Sequence, residues 1–203
     1  MSEVFEFRGV DNLVYAELTT DNNETEGGYK TGTVKVLSPV AEIGKTTETS
    51  SESKFYDNKP MFTINSEGAD EITMTVAPLD IETLADITGK TYDAETGMLI
   101  DGERTPKYFA VGYRTKGTDG AYRYVWRLKG TFAIPDETSA TEDDGTDSNN
   151  QELTFAGIST THKFAKGGAC KGIVVDERKG LADVSKFFET VQTPDTVQKA
   201  ATV

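Results

Sequence analysis

A single cysteine, Cys170, excludes an intrachain disulfide and a cysteine cage for a metal. A single histidine, His162, leaves little for imidazole chemistry. Basic residues are few: 21 Lys and Arg stand against 34 Asp and Glu, a formal net charge of −13. Free-standing nucleic-acid binders are ordinarily basic. This balance therefore argues against tight DNA or RNA binding, because an acidic surface repels polyanions and favours solubility. No apolar run approaches the roughly 18 residues of a membrane span. The first seven residues carry neither the basic nor the apolar stretch of a secretory signal. The expectation is a soluble product made in a cytoplasm. Hydrophobic residues make up only 36 %, while Gly, Thr and Ser abound, a sheet-and-loop composition.

At 203 residues the chain is long enough for one domain with a real core, and one domain over 1–203 is expected. Residues 10–18 read as a first strand, 20–30 as a polar loop, and 33–37 as a short strand ending before Pro39. Residues 40–54 hold almost nothing to bury: Glu42, then Lys45, Thr46, Thr47, Glu48, Thr49, Ser50, Ser51, Glu52 and Ser53. They read as two extended arms or a long hairpin, ordered by a partner or else a loose loop, since isolated hairpins are marginal in water. Ile72, Met74 and Val76 alternate with Glu71, Thr73 and Thr75, the pattern of a half-buried strand over 71–77. Leu79, Ile81, Leu84, Ala85 and Ile87 then fall at helical spacing, and Gly89 supplies a stop. A helix this short needs a sheet to pack on.

The strongest hairpin spans 108–134, turning at Gly117-Thr118-Asp119-Gly120. An even-numbered loop sets Phe109 opposite Leu128, Val111 opposite Trp126, Tyr113 opposite Tyr124 and Thr115 opposite Tyr122, all on one face. A three-residue loop with a bulge at Gly120 would set Tyr113 opposite Val125 and mix the faces, so the pattern favours the even register. The other face would then oppose Arg114 to Arg123 and Ala110 to Arg127, with Lys116 nearby. Like charges so placed repel, which calls for an acidic cover, unless the face is simply solvated. Residues 135–150 form an acidic, low-complexity stretch expected to be mobile. Residues 151–162 and 172–177 read as strands, 181–191 as a short C-terminal helix within a 170–203 arm, and the tail after Gln192 as disordered.

Chemistry is sparse. Gly44-Lys45-Thr46 ends like a phosphate-binding loop, but Pro39 stands where that loop needs a glycine. No serine sits in a G-x-S-x-G elbow. His162 at a strand end reads as structural. The acidic run from Glu142 to Glu152 lacks the glycine of a calcium loop, so a solvated loop is the plainer reading. Lys166 and Lys171 flank Cys170 and would lower its pKa, though a structural thiol fits as well. No cofactor, metal or enzymatic activity is expected.

Against that background, Ser51-Glu52-Ser53-Lys54-Phe55-Tyr56-Asp57-Asn58-Lys59-Pro60 stands out. Glu71-Ile72-Thr73 and Leu79-Asp80-Ile81-Glu82-Thr83-Leu84-Ala85 follow it, after the start Gly9-Val10-Asp11-Asn12-Leu13-Val14-Tyr15-Ala16. This order, with the aromatic hairpin at Phe109, Gly112, Tyr113 and Tyr124, resembles the phi13-like major tail proteins of long-tailed phages over residues 9–164. The resemblance implies a mainly β fold: a β-sandwich of two sheets with one flanking helix and a long extended arm. It implies hexameric rings that stack into a tail tube, through which DNA passes without specific binding. Terminator, distal tail and tape-measure proteins would be its partners, in a virion assembled in the host cytoplasm. No catalytic residue carries over. On this reading residues 45–53 form the assembly arm, Phe55, Tyr56, Asp57 and Asn58 anchor it to the body, and Arg114, Arg123 and Arg127 meet an acidic neighbour. The alternative is a monomeric acidic β-sandwich that binds carbohydrate on exposed Tyr122, Tyr124 and Trp126. Burial of Trp126 separates the two.

Overall fold

The computed structural model describes residues 4–23, 28–137 and 150–200. Within them the strands are β1 (Phe7–Asp21), β2 (Tyr29–Thr31), β3 (Lys35–Val36), β4 (Val40–Tyr56), β5 (Lys59–Val76), β6 (Thr91–Asp93), β7 (Met98–Ile100), β8 (Phe109–Gly117), β9 (Tyr122–Phe132), β10 (Gln151–Gly157) and β11 (Gly172–Asp176). Nine of them form one sheet in the order β2-β1-β8-β9-β10-β5-β4, with β3 on β1 and β11 on β9; β6 and β7 make a small second sheet. The large sheet curls until β1 and β4 come into contact. The fold is mainly β, a β-sandwich flanked by one helix, α1 (Ile81–Thr88).

The inner face follows from alternation. Ile72, Met74 and Val76 of β5 are fully buried, as are Leu153 and Phe155 of the neighbouring β10. They pack with Leu13, Tyr15, Phe109, Val111, Tyr113, Val125 and Phe132 into the larger core. The helix starts where the sequence signals it. Asp80 accepts from the Thr83 N–H at 2.8 Å, and Gly89 takes the left-handed conformation that ends the last turn. Ala85, Ile87 and Thr88 are its buried residues; Ile87 joins the larger core, and Leu79 packs against the same core.

The β8–β9 hairpin departs from expectation. Its loop is the three-residue one: the Gly117 N–H bonds the Ala121 carbonyl at 2.8 Å, and Gly120 has φ of 86°. Tyr113 therefore pairs with Val125, Gly112 with Trp126, Arg114 with Tyr124 and Thr115 with Arg123. The aromatic residues do not share a face. Phe109, Val111 and Tyr113 enter the larger core, whereas Tyr124, Trp126 and Leu128 enter a second core with Val14, Ala16, Ala110, Phe164, Phe187 and Val191. Both faces of this hairpin are buried, so a single-face pattern no longer decides register. Gly112 favours the observed pairing, since a Cβ there would sit 2.9 Å from the Trp126 ring.

The second core also reorders the C-terminal reading. Residues 181–191 form no helix. Their hydrogen bonds span three residues, Phe187 to Val184 and Glu189 to Lys186, and Leu181 is exposed. Residues 177–200 form a strap instead. It opens with a 3-10 turn (Glu177–Lys179), buries Phe187 and Val191, and closes with a bridge between Ala182 and Lys199. The tail from 193 to 200 is built into the fold: Asp195 accepts from the Ala165 and Lys166 N–H groups, both at 2.9 Å. The 20–30 stretch, expected to be a loop, carries the end of β1 and all but the last residue of β2. Most of the acidic 135–150 stretch lies outside the described residues.

Candidate functional site

The 40–54 stretch is a strand of a long hairpin. β4 pairs with β5 from Val40 opposite Val76 to Tyr56 opposite Lys59. Near the body, β5 is held on its other edge by β10 as far as Asp70. Beyond Asp70 no further strand joins among the described residues. From Glu48 to Gly68 every residue is exposed except Lys54, which is half-buried. At the usual rise per residue, the ten residues from Glu48 to Asp57 project about 30 Å. Thr49, Ser50, Ser51, Glu52 and Ser53 lie on this projection, while Lys45, Thr46 and Thr47 pair with Ile72, Glu71 and Asp70 at its root.

The assigned anchor lies at the opposite end from the body. Asp57 and Asn58 form the two-residue turn at the tip, with φ of 50° and 59°. Tandem positive φ is the geometry of the hairpin turn that matches strand twist, and Asn and Asp tolerate it. That Asx pair between two extended runs was the available signal for a tip. Phe55 and Tyr56 flank it, and Tyr56 stacks on Phe62 with ring centroids 6.0 Å apart. With Met61 and Ile64 they form an exposed apolar end; Phe55 is 65 % and Met61 66 % exposed. The faces of the shaft differ. Glu52 and Lys54 pair with Ile64 and Phe62 on one, while Ser51 and Ser53 pair with Asn65 and Thr63 on the other. Lys54 and Glu52 are also ion-paired.

The root is charged. Asp70 is buried and accepts from Thr47 Oγ1 at 2.9 Å and Lys171 Nζ at 3.0 Å. Its second oxygen lies 3.4 Å from Lys45 Nζ and 3.5 Å from Arg127. Burial pushes its carboxyl pKa upward, but the hydrogen bonds from Lys171 and Thr47 and the charge of Lys45 outweigh that and hold it below its ordinary value.

The three arginines do not form one basic face. Arg114 pairs with Asp11 at 2.5 Å and lies over the Tyr122 ring, Arg123 pairs with Asp176 at 3.0 Å, and Arg127 reaches Asp70. The acidic cover expected from a neighbour is supplied within the chain. Trp126 is fully buried and its indole N–H donates to the Phe187 carbonyl at 3.0 Å. Tyr124 is buried beside it, so Tyr122, Tyr124 and Trp126 form no exposed platform. Gly44-Lys45-Thr46 lies inside the extended strand β4, not in a loop before a helix. The Cys170 thiol is pushed up by burial rather than lowered by its lysines. His162 packs edge-on against Phe164, its Nδ1 is 3.0 Å from the Asn22 carbonyl oxygen, and its backbone N–H donates to Asp21, a structural setting. Among the described residues no His, Cys, Asp and Glu group is arranged to hold a metal, and no helix is long and apolar enough to cross a membrane.

Neither a protein-family model nor a characterised protein matches the chain.

Proposed function

We propose that this protein is a non-enzymatic structural subunit that polymerises through its β4–β5 hairpin, the tail-tube subunit of a long-tailed phage. The observation that carries the reading is the hairpin itself. A two-stranded ribbon is marginal alone, yet this one leaves the body for about ten residues per strand and ends in exposed Phe55, Tyr56, Met61 and Phe62. An apolar patch at the end of a polar shaft is the form of a contact made by another molecule. A second copy of the chain fits, because a head-to-tail contact closes into rings and repeats along a stack. The net charge of −13 suits a conduit that DNA crosses without adhering, since DNA affinity rests on neutralising phosphates with cations. On this proposal six copies form each ring, the tube belongs to the virion, and terminator, distal tail and tape-measure proteins meet its ends and lumen.

The test is negative-stain microscopy with light scattering on the full chain and on a variant whose residues 49–67 are replaced by an Asn-Gly turn. The expected result is rings or tubes from the full chain and none from the variant, with Trp126 emission unchanged. Equal assembly by both would remove the hairpin from the contact. A full chain that stays a single copy at the highest concentration would set aside self-assembly.

A further inference from the structure

We propose that the root of the hairpin is an oxyanion site, built by Lys45, Arg127 and Lys171 around Asp70, which takes a phosphate or carboxylate group. The argument is independent of the tube reading. Lys45 comes from β4, Asp70 from β5, Arg127 from β9 and Lys171 from the residue before β11. All three cations approach one buried carboxylate, at 3.4, 3.5 and 3.0 Å. Three positive charges against one negative leave two in excess, inside a chain whose net charge is −13. Such an excess is unfavourable where water is largely excluded, and Arg127 and Lys171 side chains are only 14 % and 19 % exposed.

Among the described residues the one other acidic group within ion-pair reach is Glu67. Its carboxylate stands 4.0 Å from Lys171 and its side chain is 76 % exposed, so it sits at the rim. It offsets part of the excess, weakened by its own exposure and by the separation. Arg127 is also unfinished. Its Nε is buried and makes no hydrogen bond. A guanidinium has five donors in a fixed fork that matches an oxyanion. Lys45, 32 % exposed, leaves the cluster open on the β4 side. An oxygen-rich anion entering there would meet Lys45 first and Arg127 and Lys171 behind it. The ligand comes either free from solution or as a carboxylate of a second copy.

The probe is inorganic phosphate, titrated into the full chain by calorimetry at constant ionic strength set with chloride. Saturable binding is expected. Lys45→Gln should weaken it by about two- to fivefold, and Glu67→Gln should strengthen it by a similar factor, the range for partly exposed charges. Both positions are on the rim, so folding is spared, and a purely structural cluster would not respond in opposite directions. Sedimentation of the same samples separates the sources. Phosphate that dissociates associated copies, with Lys45→Gln weakening association, identifies a second copy's carboxylate as the occupant. Binding with no change in association identifies a free anion. The proposal is overturned if phosphate produces no saturable heat and Lys45→Gln leaves association unchanged, or if binding is indifferent to both substitutions.

Discussion

Replacing Asp70 by Asn isolates the charge at the hairpin root while keeping its shape. The carboxylate is buried and is the shared partner of Lys45, Arg127 and Lys171, with Thr47 donating to it as well. Breaking a buried ion pair by removing one partner costs about 3–5 kcal/mol. The amide oxygen keeps one acceptor for Thr47 or Lys171, and the cations have some access to water, so the lower end, about 3 kcal/mol, is expected. For a chain of this size that lowers Tm by about 6–12 °C at pH 7. The effect carries a pH signature. The folded-state pKa is depressed below the ordinary 3.8. The ionised carboxylate therefore stabilises fully above the unfolded value, and the contribution is lost as pH falls through the folded one. Melting curves of the two proteins should be widely separated at neutral pH and converge at the acid end, where protonated Asp70 resembles Asn. Equal Tm values at pH 7, or a gap that persists to the lowest pH at which both fold, would refute the assignment of Asp70 as the stabilising charge.

Gly112→Ala should cost about 1–3 kcal/mol in urea denaturation, because a Cβ 2.9 Å from three Trp126 ring atoms overpacks a rigid site. Phe62→Ser should leave stability within about 0.5 kcal/mol, as an exposed position does, while lowering assembly measured by light scattering; a large Tm loss would mean the tip packs on the body. Iodide should quench Trp126 fluorescence only after denaturation, since the indole is fully buried; native-state quenching would restore the exposed aromatic platform.

Local signals carried some parts of the fold without help. Asp80 and Gly89 bracket α1 because a cap and a left-handed stop are properties of a few neighbouring residues. Ile72, Met74 and Val76 alternate because one face of β5 is buried and the other is not. The same logic failed where both faces are covered. Residues 109–113 are apolar without alternation, so the period of two that sets a register is absent there, and the choice fell to the fit of Trp126 over Gly112. The C-terminal strap was missed for a related reason. Its apolar residues are spaced by the surface they cover, not by a helix period, and Phe187 earns its place by filling the second core and accepting from Trp126.

Composition alone determined that this chain is β-rich, acidic and without an intrachain disulfide, because those follow from counting residues. Local order determined the helix and the alternating strands. The tertiary structure decided that residues 40–54 project as half of a ribbon, that Asp57 and Asn58 mark its far end, and that Arg114 and Arg123 pair with aspartates of the same chain while Arg127 shares Asp70 with two lysines. It also decided that Lys45, Asp70, Arg127 and Lys171 meet at one point. Those four lie 25, 57 and 44 positions apart along the chain. Strand pairing from β4 through β5 and β10 to β9, with β11 on β9, brings such distant residues together, and no local pattern encodes that meeting.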